Sequence, residues 1–131
     1  MKIIRLKKGD RIVATLEKEL ARMKIKSGFL WGLGAVSSAE LMAYDLKTKK
    51  YFSKKVDGTY EVISFMAIIT KGIDGNITIH PHITLANEKF NCLGGHLKEG
   101  TVAATLEVAI LESKQKVERY FDQEIGLNLI K

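Results

Sequence analysis

Tyr60-Glu61-Val62-Ile63-Ser64-Phe65-Met66-Ala67-Ile68-Ile69-Thr70 carries a single charge, Glu61, and is dense in β-branched and aromatic side chains. Such a run predicts a central strand buried on both faces. Downstream, Gly72 to Gly75 turns the chain into Asn76–Ala86, a second strand in which Pro81 argues for an edge or a bulge. Beyond Gly94-Gly95, Val102, Ala104, Leu106, Val108 and Ile110 alternate with Ala103, Thr105, Glu107, Ala109 and Leu111, which predicts a last long strand. Upstream, Phe29 to Leu41 is apolar, with glycines where a strand bulges or admits another backbone. Tyr44-Asp45-Leu46 and Tyr51-Phe52 frame a lysine-rich hairpin turn, Lys47-Thr48-Lys49-Lys50. One segment has a different period. Ile12, Leu16, Leu20 and Met23 share a helical face, which predicts a helix over Asp10–Lys26 with Asp10 as N-cap. Met1–Lys7 reads as a short first strand, and the tail after the last long strand as helical or extended. The expected class is α+β, one main helix near the N-terminus on a mostly antiparallel sheet.

The 131 residues suit a single domain spanning 1–131. With 46% apolar and 27% charged residues, 11 glycines and one proline, disordered and collagen-like chains are excluded. The lone Cys92 excludes an internal disulfide framework and a cysteine-rich zinc module, and is compatible with a reducing interior. No run of about 18 apolar residues is present, and Met1–Lys8 lacks the apolar stretch of a signal peptide. A cytoplasmic location and no membrane partner are expected. The net charge of +6 suits a polyanion partner but is equally common on lysine-rich surfaces.

All three histidines lie between positions 80 and 96. His80 and His82, two apart on a strand, leave the same face. A Gly94-Gly95 turn before His96 folds the chain back in this reading and brings a third imidazole from another direction. Three neutral imidazoles around zinc leave one tetrahedral position open, the arrangement of catalytic rather than structural zinc. Imidazole also suits copper, iron and nickel, so the donors alone leave the metal open. A bland alternative is a pair of polar residues on a solvated strand face.

These residues also carry a resemblance. His80-Pro81-His82-Ile83-Thr84-Leu85-Ala86, Asn91, Gly94-Gly95-His96-Leu97, Gly100-Thr101-Val102 and Glu107-Val108 resemble the signature of the plant-and-prokaryote-conserved (PPC) domain. Gly34–Ser37, Gly58–Ser64 and the end from Tyr120-Phe121-Asp122 to Gly126-Leu127 are similar to its other blocks. The resemblance implies a strongly curved sheet, a homotrimer, and zinc held by His80, His82 and His96. It also implies a fold similar to acetolactate decarboxylase, which uses a three-histidine metal.

Two functions stand side by side. The first, slightly ahead, is regulatory or DNA-associated binding. In plants the domain accompanies an Arg-Gly-Arg-Pro minor-groove element, which this chain lacks. DNA contact therefore falls to Lys47, Lys49, Lys50, Lys54 and Lys55, whose bland alternative is a solvated hairpin edge. The second is a zinc-dependent enzyme or sensor for a small oxo acid or carboxylate. There Glu61 and Glu107 are the candidate proton-transfer carboxylates, with an outward-facing or ion-paired position as the plainer account. No nucleophile motif, phosphate loop or nucleotide fingerprint specifies a reaction. Cys92 reads as a small hydrophobe before a ligand, and Trp31 as a core or subunit-interface residue.

Overall fold

The computed structural model describes residues 1–131. Strand β1 (Lys2–Lys7) is followed by helix α1 (Ile12–Arg22), then β2 (Gly28–Asp45), β3 (Lys50–Lys71), β4 (Ile77–Ala86), β5 (Cys92–Glu112), β6 (Arg119–Asp122) and β7 (Leu127–Ile130). The five long strands pair antiparallel in the order β1-β5-β2-β3-β4. The N-terminal part of β5 also pairs with β4, so the sheet curls until it meets itself. Register shifts in β2 between Gly32 and Gly34, and again between Val36 and Ser38, supply the bends that closure needs.

The core lies on the concave side of this curl. Leu6, Leu30, Phe65, Ile69, Leu85, Leu106 and Ile110 are almost fully buried there. Helix α1 seals it with Ile12, Leu16 and Leu20, all 0% exposed. Each such side chain contributes roughly 1.5–3 kcal/mol through burial. The period-four spacing therefore identifies the helix correctly, but both of its ends differ from expectation. The N-cap is Arg11, with no side-chain cap bond of its own, and the helix stops at Arg22. Asp10 instead accepts from the Lys7 N–H at 2.8 Å. The free N–H groups of the first turn go to a carboxylate distant in sequence: Glu99 accepts from Val13 at 2.8 Å and Ala14 at 3.3 Å. A negative charge at a helix start is favoured by the helix dipole whichever element supplies it.

Within the single chain, Tyr60–Thr70 is buried on one face only, not on the two that its apolar run predicts. Val62, Phe65, Ala67 and Ile69 point into the core, whereas Ile63, Met66 and Ile68 are exposed on the outer face of this chain. An apolar run cannot distinguish a strand covered on both sides from one whose outer face is apolar and uncovered. Pro81 behaves as expected. It sits where β4 pairs with β3 alone, because β5 joins β4 only from His82 onward, so at Pro81 the strand is an edge. The C-terminal tail is a hairpin, β6–β7, rather than a helix. No helix of the protein is long and apolar enough to cross a membrane.

Candidate metal centre

The three histidines meet through strand pairing, not through a turn. Chain reversal between β4 and β5 occurs at Asn87–Asn91, where the Asn87 side chain accepts from the N–H groups of Lys89 and Asn91, each at 3.0 Å. Gly94 and Gly95 lie inside β5, so the expected double-glycine turn is absent. His82 and His96 are direct cross-strand partners. The glycines serve close approach instead: a Cβ on Gly94 would stand 2.6 Å from the Ile83 carbonyl oxygen. Helix α1 steadies the other side. Glu17 accepts from Thr78 Oγ1 at 3.0 Å and from the Ile79 N–H at 3.2 Å, the residues just before His80.

The Nε2 atoms of His80 and His82 are 3.2 Å apart. One nitrogen from each of the three rings lies within 4.8 Å of the others. Zinc–nitrogen bonds of about 2.0–2.1 Å at tetrahedral angles require nitrogens about 3.3 Å apart. The His80–His82 separation already meets that requirement, and the third nitrogen lies within reach of the same ion. No cysteine or carboxylate joins the cluster. Burial, with His80 and His82 nearby and Arg119 adding its charge, pushes His96 down to about 4. Burial likewise lowers His80, followed by His82 and Arg119. Both rings are therefore neutral near pH 7, the form that binds metal.

An open cleft of about 1240 Å³ adjoins the histidines and is lined by His80, His96, Tyr51 and Arg119 among others. The Tyr51 ring lies 5.9 Å from that of His96. Its far wall is the β6–β7 hairpin, docked by Arg119 Nε donating to Thr70 Oγ1 at 2.9 Å and by Tyr44 donating to the Ile125 carbonyl at 2.6 Å. Arg119 is a residue that sequence reasoning missed. A lone arginine in a short tail carries no spacing that marks it, and only the docking of the hairpin brings it to the cleft.

The other sequence candidates lie apart from this cluster. Glu61 is exposed opposite Ala35 and Ala86; Glu107 is exposed between Arg5 and Leu33. Cys92 is exposed, with its thiol 4.0 Å from the Phe90 carbonyl. Trp31 is 64% exposed on the outer sheet face, so it is not a core residue of this chain. Lys47, Lys49, Lys50, Lys54 and Lys55 are all exposed on the β2–β3 hairpin. Lys49 donates to the Gln123 carbonyl at 3.2 Å, and Lys55 lies near Glu40, which pairs with Lys98 at 3.1 Å.

Similarity to known proteins agrees with this architecture. A metal-containing protein from Archaeoglobus fulgidus is 28% identical, with a TM-score of 0.91 over 99% of this chain and 91% of that one. A candidate DNA-binding protein from Ralstonia eutropha is 28% identical, with a TM-score of 0.90 over 98% and 89%. A plant- and prokaryote-conserved (PPC) protein from Pyrococcus horikoshii is 25% identical, with a TM-score of 0.91 over 99% and 90%. The expected likeness to acetolactate decarboxylase holds for the fold: the Bacillus subtilis enzyme gives a TM-score of 0.62 at 13% identity, over 95% of this chain and 57% of that one. No curated protein matches the chain in sequence. Residues 1–114, which include all three histidines and the strands that pair them, match the Plants and Prokaryotes Conserved (PCC) domain, and the chain belongs to that family.

Proposed function

We propose that this protein is a homotrimeric, zinc-binding receptor for a small molecule, with His80, His82 and His96 as the metal ligands. The observation that carries the reading is the 3.2 Å separation of the His80 and His82 Nε2 atoms beside His96, with no fourth protein ligand in the cluster. A structural zinc site is closed by four protein ligands, whereas three leave a position for an exogenous one. Zinc bound there supplies Lewis acidity to an oxygen ligand. The similar Archaeoglobus protein is described as metal-containing, which supports the assignment. Elemental analysis of purified protein tests it: about one zinc per chain, removable by chelator, is expected. Protein that is metal-free and equally stable with and without chelator sinks the reading.

The outer face of the sheet supports self-association, and the number three follows the family resemblance. Ile3, Ala109, Trp31 and Met66 are successive cross-strand partners, and the row continues into His82. Leu111, Phe29 and Ile68 form the neighbouring row, which continues into His80. Trp31, Leu111 and Met66 are 64%, 58% and 46% exposed in the single chain. A contiguous apolar band of this kind marks an association surface. Light scattering is expected to give three times 14.6 kDa, and the double change Trp31→Asp, Met66→Lys to give the monomer mass. A wild-type monomer at micromolar concentration, or a trimer unaffected by both changes, contradicts the assignment.

DNA association is the second reading, favoured by the five exposed lysines of the β2–β3 hairpin. A trimer repeats that patch three times, which adds weak contacts by multivalency. Neutralising Lys47, Lys49 and Lys50 with glutamine is expected to weaken duplex binding and to reduce the salt slope by about one for each lost phosphate contact. Binding with an unaltered slope places the contact elsewhere on the protein.

A further inference from the structure

Arg119 is a charge without a counter-ion. None of the ion pairs in the protein includes it. Its Nε donates to Thr70 Oγ1 at 2.9 Å and its Nη1 to the Asn128 carbonyl at 2.8 Å, both neutral acceptors. Its Nη2 is shut away from water and has no acceptor at all. The two acids that line the same cleft are committed elsewhere, Glu17 to β4 and Asp74 to the Asn76 side chain and N–H. A guanidinium that lines the cleft, is fixed by two hydrogen bonds to neutral acceptors and carries no counter-charge is an oxyanion receptor prepared in advance.

We infer that Arg119 anchors the carboxylate of a small organic acid bound in the cleft between the β6–β7 hairpin and the three histidines. The composition of the cleft selects the class. Ile77, Leu127 and Leu129 line it beside the polar groups and offer a surface to a carbon chain, which a bare inorganic anion would leave uncovered. The histidine cluster contains no carboxylate, so a divalent ion there and Arg119 outweigh Glu17 and Asp74 and leave the cleft net positive at the end between them. An anionic ligand that spans the two neutralises both, and the hairpin that carries Arg119 thereby sets ligand choice.

The inference rests on the proposed metal centre for the ligand's second anchor, and one matched pair of probes separates the two claims. Succinate monohydroxamate has a metal-binding head and a carboxylate; propionohydroxamate has the same head without it. With metal-loaded protein, calorimetry is expected to show the first binding at least tenfold more tightly. Arg119→Gln is expected to abolish that margin while leaving propionohydroxamate affinity and metal content as in the wild type; Arg119→Lys is expected to restore part of it. In wild-type protein, succinate monohydroxamate but not propionohydroxamate is expected to shift the Arg119 Nε–Hε resonance, even after chelator treatment. That readout does not depend on how well a variant folds. A margin retained in Arg119→Gln, or an Arg119 resonance that neither probe moves, overturns the inference. A protein that takes up no metal yet shows the Arg119 shift overturns the metal centre alone.

Discussion

Alanine at any one of His80, His82 and His96 is expected to abolish stoichiometric zinc binding. Removing one of three protein ligands leaves two imidazoles, and the affinity should fall by more than about 100-fold, the upper range found for loss of outer-sphere partners alone. The fold should survive, because His80 and His82 are exposed and the nearby core is carried by Phe65, Ile83 and Leu85. A clear readout is elemental analysis after dialysis, paired with thermal unfolding with and without chelator. Wild-type protein should lose stability on chelation, since a ligand that binds only the folded state stabilises it by mass action. The three variants should unfold alike with and without chelator. Acid should imitate them. Metal binding requires deprotonated rings, and burial pushes His96 down to about 4 and lowers His80 as well, so proton competition at these two ligands sets in only in acid. Unchanged zinc stoichiometry in all three variants removes the site.

Gly94→Ala is expected to damage the fold and the centre together. The added methyl would sit 2.6 Å from the Ile83 carbonyl oxygen and 3.4 Å from Thr84 Cα, both main-chain atoms of the paired strand. Neither can rotate away, so β4 and β5 must separate where Ile83 faces Gly95 and Thr84 faces Gly94. Overpacking of this kind costs about 1–3 kcal/mol. The next pair along is His82 and His96, and a metal site tolerates only about 0.5 Å of ligand displacement. Zinc affinity should therefore fall at least tenfold. Gly95→Ala is the internal comparison. Its methyl would lie 3.1 Å from the Met42 carbonyl, a milder contact, so its effect on both stability and zinc should be smaller. Equal unfolding midpoints and equal metal content for Gly94→Ala and wild type would mean that the two strands do not approach this closely.

How much of this architecture is legible in the chain depends on the range of the interaction concerned. Ile12, Leu16 and Leu20 announce a helix because a local period is enough. The helix start is not legible in the same way, because the group that satisfies it, Glu99, lies 86 residues from Val13. Asp10 has the right side chain at nearly the right place, yet it folds back to the Lys7 N–H. The glycine pair before His96 shows the same limit. Two glycines permit a turn or a close strand contact, and local chemistry does not choose between them. The outer face of β3 adds a third case, where Met66 and Ile68 are apolar without being covered within the chain.

For the site, the spacing of His80 and His82 placed two imidazoles on one strand face, because alternation is a property of the extended backbone itself. The family blocks around them identified His96 as their partner and implied the antiparallel, single-helix architecture. The sequence by itself therefore determined the helix, most of the strands, the family and the grouping of the histidines, all of which rest on short-range periodicity or on ordered motifs. Only the tertiary structure decided the register that puts His82 opposite His96. It also decided that Arg119, from a hairpin outside the matched residues 1–114, closes the same cleft. Register and docking are set by the packing of distant segments around one core, and no local pattern records them.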